Sequence, residues 1–418
     1  MNLSTQPYKG ARDFYPEDKR LQKYMFGVLR KVVESFGYQE YDAPILEPFE
    51  IYAAKTGEEI VNEQLYSFED KGGRKVAIRP EMTPSVSRMV AARRQELSYP
   101  LRLYSIPNLW RYERPQHGRL REHWQLNVDI FGVKNIRADY EIIMIADRIL
   151  KSFNAVPAMY QIRINSRKAV DEALVQIGLN SQQITGVLRL IDKSAKLAPE
   201  AFSAALSEQI GEDTANKVLA YLNSPTEPPQ EVKMLLRMLE LAGVSSATYD
   251  RSVARGFDYY TDIVFEVYDS NPENNRSMFG GGRYDGLVQL FGAEALPVVG
   301  FGMGDVTLQN FLESHNLLPN LQIETDAVVI LIGDVFTDAQ PVIRELRNNG
   351  LNIAVDISDR KLDAQIKSAV KSGARYAIFI GEKELESQQF KLRDLEKGEE
   401  KDLSLDQIAS TLSVRHSE

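Results

Sequence analysis

The chain contains no cysteine, so a disulfide framework and thiolate metal sites are both excluded. It has only four histidines, at positions 117, 123, 315 and 416, too scattered to build a dense metal cage. No metal is therefore expected to be held permanently by the protein, and any that takes part should arrive with a phosphate. No apolar run approaches the roughly 20 residues needed to cross a bilayer. The N-terminal stretch MNLSTQPYKGARDFYPED also lacks the apolar core of a secretory leader. A cytoplasmic protein with no membrane partner is the expectation. A basic surplus is missing too: 50 Lys and Arg stand against 59 Asp and Glu, a formal net charge of −9. This balance argues against a nonspecific nucleic-acid coat but leaves room for a local basic site.

What is present is an ordinary globular composition, 43% hydrophobic and 26% charged over 418 residues, enough to fill more than one core. Residues 16–36 open with Pro16 and Glu17 and space Leu21, Met25, Val28, Leu29, Val32 and Phe36 helically up to Gly37, predicting a capped amphipathic helix. GYQEYDAPILEPFEIY, with two prolines, reads as an extended segment with breaks. Strand-like runs recur at KVAIRP, LRLYSIPNLWRYE and HWQLNVDIFG, and helix returns at 140–153. From about 166 to 244 the periodicity is mostly helical, and strand-like sequence resumes at YYTDIVFEVYD, so this stretch reads as a helical insertion. After the linker-like LPNLQIETD, strands AVVILIG, LNIAVDI and YAIFIG alternate with two helices, predicting a small parallel sheet.

The densest concentration of cations lies in RYERPQHGRLREHWQ, where Arg111, Arg114, Arg119 and Arg121 fall within eleven positions. In the strand that follows, His123, Gln125, Asn127 and Asp129 share one face, opposite Trp124, Leu126, Val128 and Ile130. If the preceding strand pairs with it, the loop's guanidiniums overhang the polar face, a geometry suited to polyphosphate. AIRPEMT places Arg79, Glu81 and Thr83 after a short apolar strand. ARGFDYYTDIVFEVYD sets Arg255, Asp258, Tyr259 and Tyr260 at the mouth of another. FGGGRYDGL supplies Gly280 to Gly282, which read either as a flexible turn or as backbone that a ligand can approach closely. Their spacing fits neither a Walker loop nor a dinucleotide fingerprint.

RYERPQHGRLREHWQLNVDIFG, RGFDYYTDIVFE and GGGRYDGL together resemble the signatures of the histidyl-tRNA synthetases, a class II aminoacyl-tRNA synthetase family, and the likeness runs from KGARDFYP to the C-terminal module. It implies an α+β catalytic domain built on a mixed, mainly antiparallel sheet at 1–165 and 250–318. A helical insertion at 166–249 and a C-terminal α/β anticodon-binding domain at 325–418 complete the expected architecture. The implied reaction joins L-histidine to ATP as histidyl-adenylate, with release of pyrophosphate, and passes histidine to the 3′ end of tRNA(His). ATP would enter with Mg2+ as the substrate complex.

By the same resemblance, Arg111 contacts the α-phosphate, Glu113 the adenine amino group and Arg119 the outer phosphates. His123 takes the adenine-stacking position, and Gln125 borders both substrates. Arg255 lies against the α-phosphate and the histidine carboxylate as a fixed electrostatic catalyst, with Arg111 as its catalytic companion. Glu81, Met82, Thr83 and Gln125 match positions around the amino group of histidine. Asp129 and Tyr260 match those flanking the imidazole, with Tyr259 and Tyr284 alongside. Arg114 and Gln116 would meet the tRNA acceptor end. GYQEYDAPILEP resembles the segment that forms a homodimer interface, and Arg360, Lys361, Lys367, Lys371 and Arg375 lend the C-terminal module a local basic content.

The sequence departs from the family pattern at Thr307, where an ATP-packing arginine is usual, at His123, where phenylalanine is usual, and at Met82 within a turn that usually reads EGT. Those departures also suit a catalytically silent paralogue, the histidine-sensing regulatory subunit of ATP phosphoribosyltransferase. Arg255 within an intact RGFDYY and the full C-terminal module favour the synthetase.

Overall fold

The structure is a computed structural model that describes residues 3–53, 63–114, 118–194, 197–224, 227–255, 259–274, 277–358 and 360–413. The chain divides into two compact units, Met1–Tyr15 with Gln22–Leu318, and Pro16–Leu21 with Pro319–Glu418.

The expected first helix is α1 (Pro16–Ser35), with Glu17 and Asp18 in its first turn, where they oppose the positive end of the helix dipole. Its buried stripe is Met25, Leu29, Val32 and Val33. Gly37, at φ +83°, closes it with its N–H on Glu34 O. The extended, proline-broken stretch resolves into β1 (Gln39–Glu40), β2 (Leu46–Pro48) and α2 (Phe49–Ala53). Next come β3 (Ser67–Glu69), β4 (Lys75–Ile78), α3 (Thr83–Ala92), β5 (Leu101–Ser105), β6 (Asn108–Trp110), β7 (Glu122–Phe131) and α4 (Arg137–Ser152). Then β8 (Tyr160–Ser166) leads to five helices, α5 (Arg167–Ile177), α6 (Ser181–Lys193), α7 (Pro199–Ile210), α8 (Glu212–Asn223) and α9 (Gln230–Leu241). The unit closes with β9 (Ala247–Tyr249), β10 (Ile263–Asp269), β11 (Ser277–Arg283), β12 (Val298–Gly304) and α10 (Asp305–Ser314).

These strands make one large sheet in the order β1-β5-β7-β12-β11-β10-β8-β9, with β6 paired to β7. The two outermost pairs, β1 with β5 and β8 with β9, are parallel, and the rest are antiparallel. A second, three-stranded sheet runs β2-β4-β3. The helix α4 packs against β7 and β12 and buries Ile142, Ile143, Ile145 and Ile149. The helices α5 to α8 have their own apolar cluster, which includes Val170, Leu174, Val187, Leu206 and Val218 and also takes in Ala254, from the loop before β10. Asn180 and Gln183 form a reciprocal capping box at the start of α6, and Ser166 caps α5 by accepting from Ala169 N.

The second unit holds β13 (Ala327–Ile332), α11 (Phe336–Asn348), β14 (Ile353–Val355), α12 (Leu362–Lys371), β15 (Tyr376–Gly381), α13 (Glu382–Ser387), β16 (Phe390–Asp394), β17 (Glu400–Leu403) and α14 (Leu405–Ser413). Its sheet order is β14-β13-β15-β16-β17. The parallel core of three strands is as the sequence predicts, but β16 and β17 add an antiparallel hairpin that the strand–helix alternation does not announce. The alternating burial of β16 is legible in FKLRD only once β15 is there to be paired with.

Candidate active site

The polar face of β7 is the floor of the larger unit's cavity. Leu126, Val128 and Ile130 pack on one side of the strand, while Asn127 and Asp129 on the other are buried as well, so this face is no solvated strand side. Gln125, Asn127 and Asp129 line the cavity together with Arg111, Glu81, Thr83, Arg255, Tyr259, Tyr260 and Tyr284. The structure thus brings together nine of the residues singled out by sequence, contributed by β7 and by the loops preceding α3, β7 and β10 and following β11.

Gly300, Phe301 and Gly302 of β12 complete the lining, and they are residues that sequence reasoning left out, whereas Asn127 was placed on the polar face without a role. The signal for them was present: GFGMG repeats glycine every second residue, a strand period that marks one face as backbone only. Gly300 pairs with Asp129, and Gly302 with Asn127. A Cβ on Gly300 would sit 2.0 Å from Asp129 Oδ1 and 2.7 Å from Val128 O, and one on Gly302 would sit 2.5 Å from Gln125 Nε2. Across the next pairing, Gly280 and Gly282 of β11 face Gly302 and Gly300. The triple glycine is accordingly neither a loose turn nor a phosphate loop but the middle of a central strand. Replacing Gly300 by alanine is expected to destabilise the protein by about 1–3 kcal/mol, through overpacking against backbone that cannot yield. Denaturant unfolding measures it, and unchanged stability would mean that Asp129 is free to swing aside.

Electrostatics inside the cavity are strongly perturbed. Burial pushes the Asp129 carboxyl up to about 7, partly offset by the hydrogen bond it accepts from the Tyr284 hydroxyl. Burial, then the Asp129 charge, raise Tyr284 well above the ordinary tyrosine range, so the phenol keeps its proton and donates it. Tyr259 donates to Glu81 Oε2 at 3.2 Å and is raised by burial and then by that carboxylate. The Tyr259 ring packs against both Tyr260 and Tyr284, with centroids 4.9 and 5.7 Å away. The result is a wall of neutral hydroxyls beside two buried carboxyls.

Arg255 enters from the far side. Its φ is +57°, a left-handed conformation that costs a side-chain-bearing residue energy and persists only where its surroundings fix it. Its guanidinium pairs with Glu266 Oε1 at 3.0 Å and donates to Gly280 O at 3.1 Å. Burial alone would lower its pKa, but the neighbouring Tyr260 and Glu266 outweigh this and raise it, so the cation is permanent. Arg255 Nε is buried and has no hydrogen-bond partner among the described residues. Such a donor beside a cavity suits an anionic ligand.

Arg111 lines the cavity with its Nε on Pro80 O at 2.9 Å. Met82, fully buried at the N-terminus of α3, does not line it. Glu113 and Arg119 lie outside the lining and pair with each other at 3.3 Å, with Arg119 about half exposed. Arg114 is exposed. His123 shares the face of Gln125 further along β7, and burial, then the charges of Arg111 and Arg12, lower its pKa to about 3, so the imidazole is neutral. Gln116, Pro115 and Asp258 lie outside the described residues.

One sequence expectation changes. Arg121 does not overhang the polar face: it donates to Glu113 O and Tyr8 OH and stacks 3.9 Å from the Tyr112 ring centroid, which makes it an anchor of the loop. Thr307 offers no substitute for the arginine usual there, because its Oγ1 lies 2.8 Å from Met278 O and 3.1 Å from Gly304 O. The nearby cation is Arg12, which pairs with Asp305 Oδ2 at 2.7 Å, while Asp305 Oδ1 accepts from Trp124 N.

Comparison with known proteins places this geometry in context. Residues 10–306 match the family model described as histidyl-tRNA synthetase, and residues 326–415 match the model described as anticodon binding domain. The chain is 44% identical over 409 residues to a protein named histidine–tRNA ligase from Leptospira biflexa serovar Patoc, covering 94% of each. It is 37% identical over 428 residues to one of the same name from Thermoplasma volcanium, covering 98% of this chain and 99% of that one. Its fold matches the crystal structure of histidyl-tRNA synthetase from Nostoc sp. PCC 7120 with a TM-score of 0.81, at 24% identity, over 99% of this chain and all of that one.

Proposed function

Because the chain belongs to the histidyl-tRNA synthetase family and is a histidine–tRNA ligase, we propose that the cavity floored by β7 and β12 is where both substrates meet and that its residues divide the work as follows. Histidine lies over the glycine floor. Its imidazole sits between Asp129 and Tyr260, with Tyr259 and Tyr284 alongside, and its amino group faces Glu81, Thr83 and Gln125. A carboxylate opposite a hydroxyl satisfies both ring nitrogens, and an amino acid lacking either nitrogen would leave a buried polar group unpaired.

ATP, entering with Mg2+, lies across the β6–β7 end of the cavity. Arg111 and Arg255 converge on the α-phosphate, Glu113 and the neutral ring of His123 take the adenine, and Arg119 takes the outer phosphates. The Glu113–Arg119 pair then exchanges its internal partner for the two ends of the nucleotide. A histidine carboxylate oxygen attacks the α-phosphorus, the bond to the bridging oxygen breaks, and pyrophosphate leaves with the electron pair. Both arginines remain charged throughout and act by stabilising the negative charge gathered on the α-phosphoryl oxygens, with no proton to move. In the second step the terminal ribose hydroxyl of tRNA(His) attacks the acyl carbon, the bond to the phosphate oxygen breaks, and AMP departs with the hydroxyl proton on its phosphate, while Arg114 at the mouth of the site meets the acceptor end.

The observation that carries this reading is the buried, permanently charged Arg255 facing a cavity whose opposite wall holds Asp129 and Tyr284. The C-terminal unit would bind the anticodon arm. Lys361, Lys367 and Lys371 are exposed there, whereas Arg360 and Arg375 are paired with Asp356 and Asp394. A homodimer and a cytoplasmic setting go with the reading. Ile45 and Leu46 at β2, and Phe68 on β3, are exposed apolar residues of the small sheet and would suit a second copy. Isotope exchange between pyrophosphate and ATP should depend on L-histidine, and the enzyme should charge tRNA(His). No exchange at saturating ATP and histidine would refute the assignment.

A further inference from the structure

The proposed catalyst Arg255 is held by Glu266, which closes the signature RGFDYYTDIVFE without having been given a part in the reaction, and by Gly280 O. Glu266 lies on β10, opposite Gly280 on one neighbouring strand and Arg163 on the other. Its Oε1 takes Arg255 Nη1 at 3.0 Å, and its Oε2 accepts from the Tyr268 hydroxyl at 2.6 Å. The Arg163 guanidinium stacks 4.1 Å from the Tyr268 ring centroid and pairs with Asp250 at 3.2 Å. Gly280 leaves the space this requires, since a Cβ there would stand 3.0 Å from Arg255 Nη1. The backbone is fixed on the other side: Ala254 is buried in the apolar cluster of α5 to α8, and its carbonyl accepts from Arg167 Nη1 at 3.3 Å.

From this arrangement we propose that Glu266 is a positioning residue for the first step of the reaction, holding one edge of the Arg255 guanidinium so that the rest of it faces the substrates, with Tyr268 fixing the carboxylate in turn. The inference rests on the assignment of Arg255 as the electrostatic catalyst. A long side chain leaving a left-handed backbone position has many rotamers to lose, and a carboxylate pinned by its own hydrogen bond removes that freedom before substrate binds. The carboxylate takes Nη1 and Gly280 O takes Nη2, while the buried Nε has no partner among the described residues. An unrestrained arginine would instead fold onto whichever oxygen lay nearest.

The test is a double-mutant cycle on single-turnover adenylate formation, with Glu266→Gln and Arg255→Ala made singly and together and thermal melting recorded for each. Glu266→Gln keeps shape and volume, and it is expected to slow adenylate formation about tenfold with little change in the KM for histidine. In the Arg255→Ala background the same change should have almost no further effect. A rate for Glu266→Gln within twofold of wild type, or the same tenfold loss without Arg255, would overturn the proposal. Wild-type adenylate formation by Arg255→Ala would overturn the assignment of Arg255 itself, and with it this inference. Should Glu266→Gln fail to fold, Tyr268→Phe serves the same cycle, with an expected loss of about threefold that again disappears when Arg255 is absent.

Discussion

The Arg255→Ala variant is expected to lose about a thousandfold in histidine-dependent ATP–pyrophosphate exchange while still binding histidine. The expectation follows from how little else in the cavity can do the same work. Among the described residues that line it, Arg255 and Arg111 are the two cations, and Arg111 is tethered through Nε to Pro80 O. In the proposed displacement, charge that accumulates on the α-phosphoryl oxygens therefore loses one of two fixed counter-charges, in a cavity lined largely by buried side chains, where each is worth more than at a surface. Lysine at this position would restore the charge but not the fork, since one ammonium cannot keep Glu266 and Gly280 O while also meeting the nucleotide. Partial recovery, well short of wild type, is the expected result for Arg255→Lys. Exchange by Arg255→Ala at the wild-type rate would remove Arg255 from the mechanism.

Asp129→Asn should separate function from stability, moving the two in opposite directions. In the ligand-free fold the carboxyl titrates near 7, against an ordinary value of 3.8. Between those values the folded chain holds a proton that the unfolded chain has already released. Stability therefore falls as pH rises through that window, and the full cost of the buried charge is present above it. Asparagine carries no charge to bury and can still accept from Tyr284. The variant should accordingly melt several degrees higher than wild type at pH 8, with the difference shrinking towards pH 4. Histidine recognition should suffer at the same time, with kcat/KM falling roughly a hundredfold because a charged acceptor for the imidazole N–H has been replaced by a neutral one. A melting temperature that does not rise, or undiminished kcat/KM, would each contradict the role given to this carboxyl. Added histidine should narrow the stability gap, since it stabilises wild type by mass action more than it does the variant.

Much of this was legible before any coordinates. The period of two in HWQLNVDIF put Gln125, Asn127 and Asp129 on a common face, and the helical spacing of residues 16–36 gave α1 to within a residue. Both are local patterns written into consecutive residues, and local patterns survive folding. The misread features depended on partners distant in sequence. Arg121 counted as one more phosphate-binding cation until Tyr8, 113 positions away, proved to be its acceptor. Gly280 to Gly282 looked like a turn because nothing nearby in sequence reveals that strands lie on both sides of them. Glu266 was quoted within RGFDYYTDIVFE but given no role, because its significance comes from an arginine eleven residues earlier in sequence.

The glycine floor sets a limit on how this site can change. Where β12 lines the cavity, Gly300 and Gly302 offer backbone alone, and glycine is already the smallest residue. Mutation can raise this floor but never lower it, so the depth available to the amino acid is already at its maximum. Selection for a bulkier side chain would have to work through the tyrosine and carboxylate walls, the same groups that read the imidazole. With the roles proposed for those walls, widening the range of accepted amino acids costs fidelity to histidine, because the glycine side of the pocket offers no further depth.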